Sequence, residues 1–187
     1  LYEAGVWVRN FLFDSHVLKE TEFPSPVICV GNITAGGTGK TPHTEYLIRM
    51  LSQQAAGRPV AVLSRGYKRK SKGFIMAKPG TTVRQIGDEP WQMAQKFPEV
   101  TVAVDANRRH GIEQLLKKLP GSPESKPIIL LDDAYQHRYV KAGLNIMLTD
   151  YHRLITDDML LPAGRLREPV SSKDRAHIVI VTKCPTG

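Results

Sequence analysis

The chain has 187 residues, 41% of them apolar, and its 26 Lys+Arg against 18 Asp+Glu leave a net charge of +8. That content can bury a full core, which excludes a disordered tail and predicts one domain, or one large lobe of a bigger protein. The charge favours anionic partners without choosing among nucleotide, nucleic acid and acidic membrane, and no apolar stretch reaches the length of about 18 residues that a membrane span needs.

Residues 1–18 place Ala4, Trp7, Val8, Phe11, Leu12 and Leu18 on one helical stripe beside Arg9. Such a helix either packs on the domain or lies in a membrane interface, and the pattern leaves both open. Val27 to Val30 reads as a buried strand. It leads into Gly31-Asn32-Ile33-Thr34-Ala35-Gly36-Gly37-Thr38-Gly39-Lys40-Thr41-Pro42, giving the strand, glycine loop and helix start that a phosphate-binding loop requires. Thr34, Ala35, Gly36, Gly37, Thr38, Gly39, Lys40 and Thr41 are therefore the expected nucleotide contacts. Glycines let successive N–H groups turn inward on phosphate oxygens, and the following helix adds its positive end. Lys40 reaches the β- and γ-phosphates, and the Thr41 hydroxyl suits Mg²⁺. Thr34 stands where the general pattern has glycine.

Beyond the loop, 42–56 reads as a helix on Thr44, Leu47, Ile48 and Leu51, and 60–63 as a short strand. Residues 64–72 form the densest basic run, suited to a solvated loop, a phosphorylated substrate or anionic headgroups. In 87–97 a turn enters a helix with Asp88 at or near its N-cap, a position that capping alone would explain. A strand at 101–104 precedes a helix at 108–119 that opens on Arg108 and Arg109. Pro127 to Leu131 is a continuous apolar run closed by Asp132 and Asp133, a buried strand delivering carboxylates to Mg²⁺. Gln136 and His137 follow closely enough to touch substrate. After a strand at 144–148, residues 150–175 carry little regular pattern except Pro162 to Pro169, where Arg165 and Arg167 can clamp phosphate and Glu168 can orient them. His177 to Thr182 reads as a last core strand. Cys29 and Cys184 lie in apolar runs outside any Cys/His cluster, which predicts buried free thiols in a reducing compartment. With no initiator Met, and an end just past a core-like strand, a longer polypeptide is expected.

This alternation predicts an α/β fold: a doubly wound, mostly parallel sheet of the P-loop NTPase kind, with Thr34 to Thr41, Arg65, Asp132 and Thr182 gathered at the strands' carboxyl ends. Two other classes compete with a kinase. A P-loop ATPase or GTPase switch would read guanine with [NT]-K-x-D, but Thr182-Lys183-Cys184-Pro185 has proline in place of the aspartate, and Asp133 is followed three residues on by Gln136 rather than glycine. A nucleic-acid module would interleave its basic residues with aromatics on a strand platform; that pattern is missing, and no nucleic-acid partner is expected.

The chain resembles the tetraacyldisaccharide 4′-kinase (lipid A 4′-kinase) family over nearly its whole length. The motifs that carry the resemblance are residues 30–42, Ser64-Arg65-Gly66-Tyr67, Gly87-Asp88-Glu89-Pro90, Asp132-Asp133-Ala134-Tyr135-Gln136-His137 and Leu161 to Pro169. The family's loop also accounts for Thr34, while Ala134 replaces a glycine found in many members. The resemblance implies transfer of the ATP γ-phosphoryl group, with Mg²⁺, to the 4′-hydroxyl of an acylated glucosamine disaccharide 1-phosphate. It makes Asp88 the catalytic base, working with a histidine from a second lobe, and Lys40 its catalytic partner on the phosphates. Thr41, Asp132 and Asp133 become the metal ligands, and Arg65, Tyr67, Glu89, Arg108, Gln136, His137, Arg167 and Glu168 the substrate contacts. It also implies an amphipathic membrane-interface helix within 1–22 and a nucleotide-binding lobe at 23–187, with the C-terminal lobe lying outside this chain. The implied place is peripheral, on an anionic membrane surface at the cytoplasmic face of the bacterial inner membrane.

Overall fold

The computed structural model describes residues 2–55, 57–119, 121–122 and 124–185. Seven strands, β1 (Val27–Gly31), β2 (Val60–Ser64), β3 (Ile75–Met76), β4 (Thr101–Val104), β5 (Ile128–Asp132), β6 (Leu144–Asp150) and β7 (Ile178–Thr182), form one sheet in the order β3-β4-β2-β5-β1-β6-β7. Every neighbouring pair is parallel except β3 with β4. Strands buried on both faces need apolar residues at every position, and the runs at β2 and β5 supply them. The helices are α1 (Tyr2–Asp14), α2 (Lys40–Gln54), α3 (Val83–Ile86), α4 (Asp88–Lys96) and α5 (Arg108–Lys118). α2 and α4 cover one face through Ile48, Met93 and Phe97; α5 covers the other through Ile112 and Leu115. Two 3₁₀ turns, Ile155–Asp157 and Val170–Arg175, punctuate the long connection from β6 to β7.

Because the five strands from β2 to β7 run parallel, the ends that carry Thr34, Arg65, Asp132 and Thr182 share one edge, as the alternation predicts. Four expectations need correction. The stripe on α1 does not face the domain: Ala4, Trp7, Val8 and Phe11 are exposed, and the helix docks instead through Asn10 and Phe13. The helix stops at Asp14, so Leu18 and the rest of 15–22 lie outside it. Cys29 is buried, whereas Cys184 lies past the end of β7 and is exposed. Finally, β7 is not a core strand: at the sheet edge its Ile178, Val179 and Val181 are exposed. Beside it Pro42, Tyr46, Leu47, Ile146 and Ile180 line an open apolar groove.

Candidate active site

The loop after β1 enters α2 through Gly39, whose φ of 78° is left-handed and suits glycine. Asn32 organises this loop from inside. It is fully buried, and its side-chain NH₂ donates to the hydroxyls of Thr34 (3.1 Å) and Thr38 (2.8 Å). Its side-chain oxygen lies 3.5 Å from Lys40 Nζ and also accepts from Arg167. The stretch 160–168 straps the loop from outside: Ala35 N donates to Arg165 O, Arg167 N donates to Ile33 O, and Thr34 bridges Leu166. A backbone ladder of this kind holds the phosphate-facing amides in place before any ligand arrives.

β5 delivers the two aspartates to different surroundings. Asp132 is buried, and its carboxylate accepts from the Thr44 hydroxyl at 3.1 Å. Burial above all, then the charges of Glu89 and Asp133, raises its pKa to about 6 against the Thr44 bond and Arg108. Asp133 turns outward with φ 48°, a conformation rarely adopted without glycine, and its carboxylate meets Lys40 (3.7 Å) and Arg167 (3.2 Å). The unusual backbone angle of this motif thus falls on Asp133 and not on Ala134. Thr41, Asp132 and Asp133 carry hydroxyl and carboxylate oxygens, the hard donor type that Mg²⁺ takes.

On the β2 and β4 side of this pair lies a cleft of about 420 Å³ lined by Tyr2, Arg9, Arg65, Arg108, Gln136, His137 and Arg167 together with Val6, Ala106 and Asp133. Several polar atoms here are buried without a partner: Nε of Arg9, Arg108 and Arg167, and Nε2 of His137. Burial lowers the Arg108 pKa to about 10, which leaves it charged at neutral pH, and burial together with the surrounding arginines lowers that of His137 to about 4, which leaves it neutral. Gln136 donates to Asn32 O at 2.5 Å, tying the cleft floor to the loop. Behind the cleft Glu168, with no exposed surface, accepts from Arg9 and Arg175 at 2.5 Å each, while Tyr2 OH donates to Arg167 O at 3.1 Å. α1 is thereby a wall of the site.

Asp88, Glu89 and Tyr67 are exposed and do not line that cleft. The cap of α4 is Gly87, so Asp88 is not an N-cap; its carboxylate accepts only from Gln92 (3.2 Å) among the hydrogen bonds of the described residues. The capping explanation is therefore withdrawn. Gly87 and Gly66 bring the two motifs into contact, since a Cβ on Gly87 would come within 2.9 Å of Tyr67 O and one on Gly66 within 2.8 Å of Ile86 O. Both have positive φ, so glycine is required twice over. Sequence reading missed Asn32 and Thr44 as site residues, and took Arg9 only as a border to an apolar stripe. Helical spacing alone puts Thr44 on the packing face of α2, where its hydroxyl reaches Asp132.

A family model described as tetraacyldisaccharide-1-P 4′-kinase matches residues 1–187. The tetraacyldisaccharide 4′-kinase of Phocaeicola vulgatus is 64% identical over 187 residues, covering 99% of this chain and 49% of the relative. That of Porphyromonas gingivalis strain W83 is 57% identical over 186 residues, covering 99% and 50%. Among solved structures, the "apo" form of LpxK from Aquifex aeolicus in complex with ATP superimposes with a TM-score of 0.85 at 39% identity, covering 97% of this chain and 56% of that one. The chain spans about half the length of the relatives it matches.

Proposed function

This chain belongs to the tetraacyldisaccharide-1-P 4′-kinase family, and from that premise we propose that it is the nucleotide-binding half of a lipid kinase. The full protein passes the γ-phosphoryl group of ATP to the 4′-hydroxyl of a tetraacylated glucosamine disaccharide 1-phosphate, a step of lipid A biosynthesis. Loop 34–41 cradles the triphosphate, and Lys40 exchanges its contacts with Asp133 and Asn32 for the β- and γ-phosphates. Thr41, Asp132 and Asp133 hold Mg²⁺, which when bound neutralises charge on the transferring group. Asp88, free of any capping bond, takes the proton of the acceptor hydroxyl as the P–O bond forms. A histidine in the remaining half of the protein serves as its partner, and that half packs where β7 is bare.

The observation that carries this reading is the set of arginines, Arg9, Arg65, Arg108 and Arg167, that line one cleft beside a phosphate-binding loop. Guanidinium groups gathered in this way suit an anionic acceptor, which they hold through charge-assisted hydrogen bonds. Arg65, Arg108 and Arg167, with Gln136 and His137, are the acceptor contacts. Glu168, expected among them, is fully buried and paired with Arg9 and Arg175, so it braces the strap next to Arg167 and does not touch acceptor. Tyr67 and Glu89, outside that cleft, contact acceptor beyond its rim. The exposed edge of α1 lies on an anionic membrane surface, which makes the enzyme peripheral at the cytoplasmic face of the inner membrane.

The test is Asp88→Asn in the full-length protein. Loss of a general base lowers kcat by about 100-fold or more, with ATP affinity and melting temperature close to wild type. Full activity in that variant would remove Asp88 from the mechanism. Lys40→Ala is expected to abolish turnover while the protein stays folded, because Lys40 stabilises charge that develops on the transferring group.

A further inference from the structure

Arg108 lines the acceptor cleft from the first turn of α5, and its side chain is buried. Arginine has many rotamers to lose, so a guanidinium that meets an anion at one fixed place has to be held there from behind. Two main-chain carbonyls do this: Nη1 donates to Asp105 O at 2.6 Å, and Nη2 lies 3.4 Å from Asp132 O. The shorter bond goes to a residue that lies outside the family motifs and does not line the cleft.

Asp105 is itself held on every side. It is buried directly after β4, and its N–H donates to Ser64 O at 3.0 Å, which carries the pairing of β2 with β4 one step further. One carboxylate oxygen accepts from Asn107 N at 2.9 Å, and the other lies 2.6 Å from Nδ1 of the half-exposed His110. The turn from strand to helix is thereby tied at both ends, so the carbonyl that Arg108 meets keeps one direction. Its Ser64 bond extends the hold to the neighbouring Arg65, which lines the same cleft.

We infer that Asp105, braced by His110, is a positioning residue for the acceptor: it aims Arg108 at the anionic group in the cleft and does not touch that group. Starting the helix does not require it. Asn107 already caps α5, its side-chain oxygen accepting from His110 N at 3.2 Å. What the Asp105 carboxylate adds to that cap is a clamp across the turn, from Asn107 N to the His110 ring, and the Arg108 guanidinium rests on the clamped residue.

This inference rests on the kinase reading and deepens its acceptor site, and the test separates the two. Full-length protein is assayed for turnover with ATP and tetraacyldisaccharide 1-phosphate, each varied in turn. Asp105→Ala is expected to raise the acceptor KM about tenfold, the size of one weakened hydrogen bond to a charged group, while kcat and the ATP KM stay close to wild type. His110→Ala shifts the acceptor KM the same way by less. A double-mutant cycle shows whether the effect runs through Arg108: in an Arg108→Ala background, Asp105→Ala adds no more than about twofold. Should Asp105→Ala fail to fold, His110→Ala at its half-exposed position carries the same cycle. An unmoved acceptor KM, acceptor and ATP KM raised alike, or an undiminished effect in the Arg108→Ala background overturns the positioning role and leaves the kinase reading standing. Wild-type protein that binds ATP but never phosphorylates the disaccharide overturns both.

Discussion

Asp132, buried next to Asp133 of the cleft, and His137, which lines it, respond to acid in opposite ways. Burial raises Asp132 to about 6, so in mild acid a proton competes with a cation for its oxygens. Apparent Mg²⁺ affinity of the full-length protein is expected to weaken about tenfold per unit as pH falls below that value. Thr44→Val removes the bond that holds the carboxylate down and moves the midpoint higher, as Mg²⁺ titrations of turnover at several pH values will read; a midpoint that stays put excludes Asp132 as the titrating ligand. His137 is lowered from 6.5 to about 4, by burial first and then by Arg108 and Arg9. Unfolded chain takes up a proton that the folded protein refuses, so this stability is complete above pH 6.5 and is lost as pH falls through about 4. Over that window the melting temperature of His137→Gln should fall less steeply than that of wild type. None of this environment is legible from Asp132 or His137 alone: the Thr44 bond joins residues 88 positions apart, and Asn32 shares no local pattern with Arg167.

The regular elements were read well where burial imposes a repeat. β4 carries the bounds expected of it, 101–104, because four consecutive apolar or β-branched residues admit little else, and β2 and β5 shift by a single residue. β3 pairs only two residues and α3 spans four, too short for any period to form. α1 was readable as a helix but not by its face. Its most apolar stripe points outward, and what seats it is Phe13, Asn10 and a cluster of charges: Arg9 and Arg175 on Glu168, and Arg138 on Asp14. Removing Glu168 leaves two guanidiniums facing each other without their carboxylate. Glu168→Ala is expected to cost about 2 kcal/mol, less than a wholly buried pair because both arginines keep some contact with water. Chemical denaturation measures that loss, and limited proteolysis between Ser15 and Glu20 should quicken as α1 loosens. A variant as stable as wild type would mean that α1 is held by packing alone.

On the proposed function, α1, Arg65 at the start of the basic run and the cleft between them would receive an acceptor half dissolved in lipid. Tyr2, Val6 and Arg9 of α1 form one wall of the cleft and Arg65, at the start of the basic run, belongs to another. From the opposite side of the same helix Trp7 and Phe11, 63% and 54% exposed, stack at 5.5 Å with their rings 10° apart. Under that function, a membrane contact through the aromatic pair and an acceptor in the cleft would lie on opposite faces of one helix. Among the described residues no helix is long and apolar enough to cross a membrane. Each basic residue near an anionic surface contributes about 1 kcal/mol, screened over a distance of about 8 Å at physiological salt. Full-length protein should therefore float with acidic liposomes and be released by salt, while Trp7→Ser with Phe11→Ser should cut recovery and leave ATP affinity unchanged. Equal flotation on neutral liposomes would put the attraction in the aromatic pair alone, and undiminished flotation of the double variant would move the membrane contact away from α1.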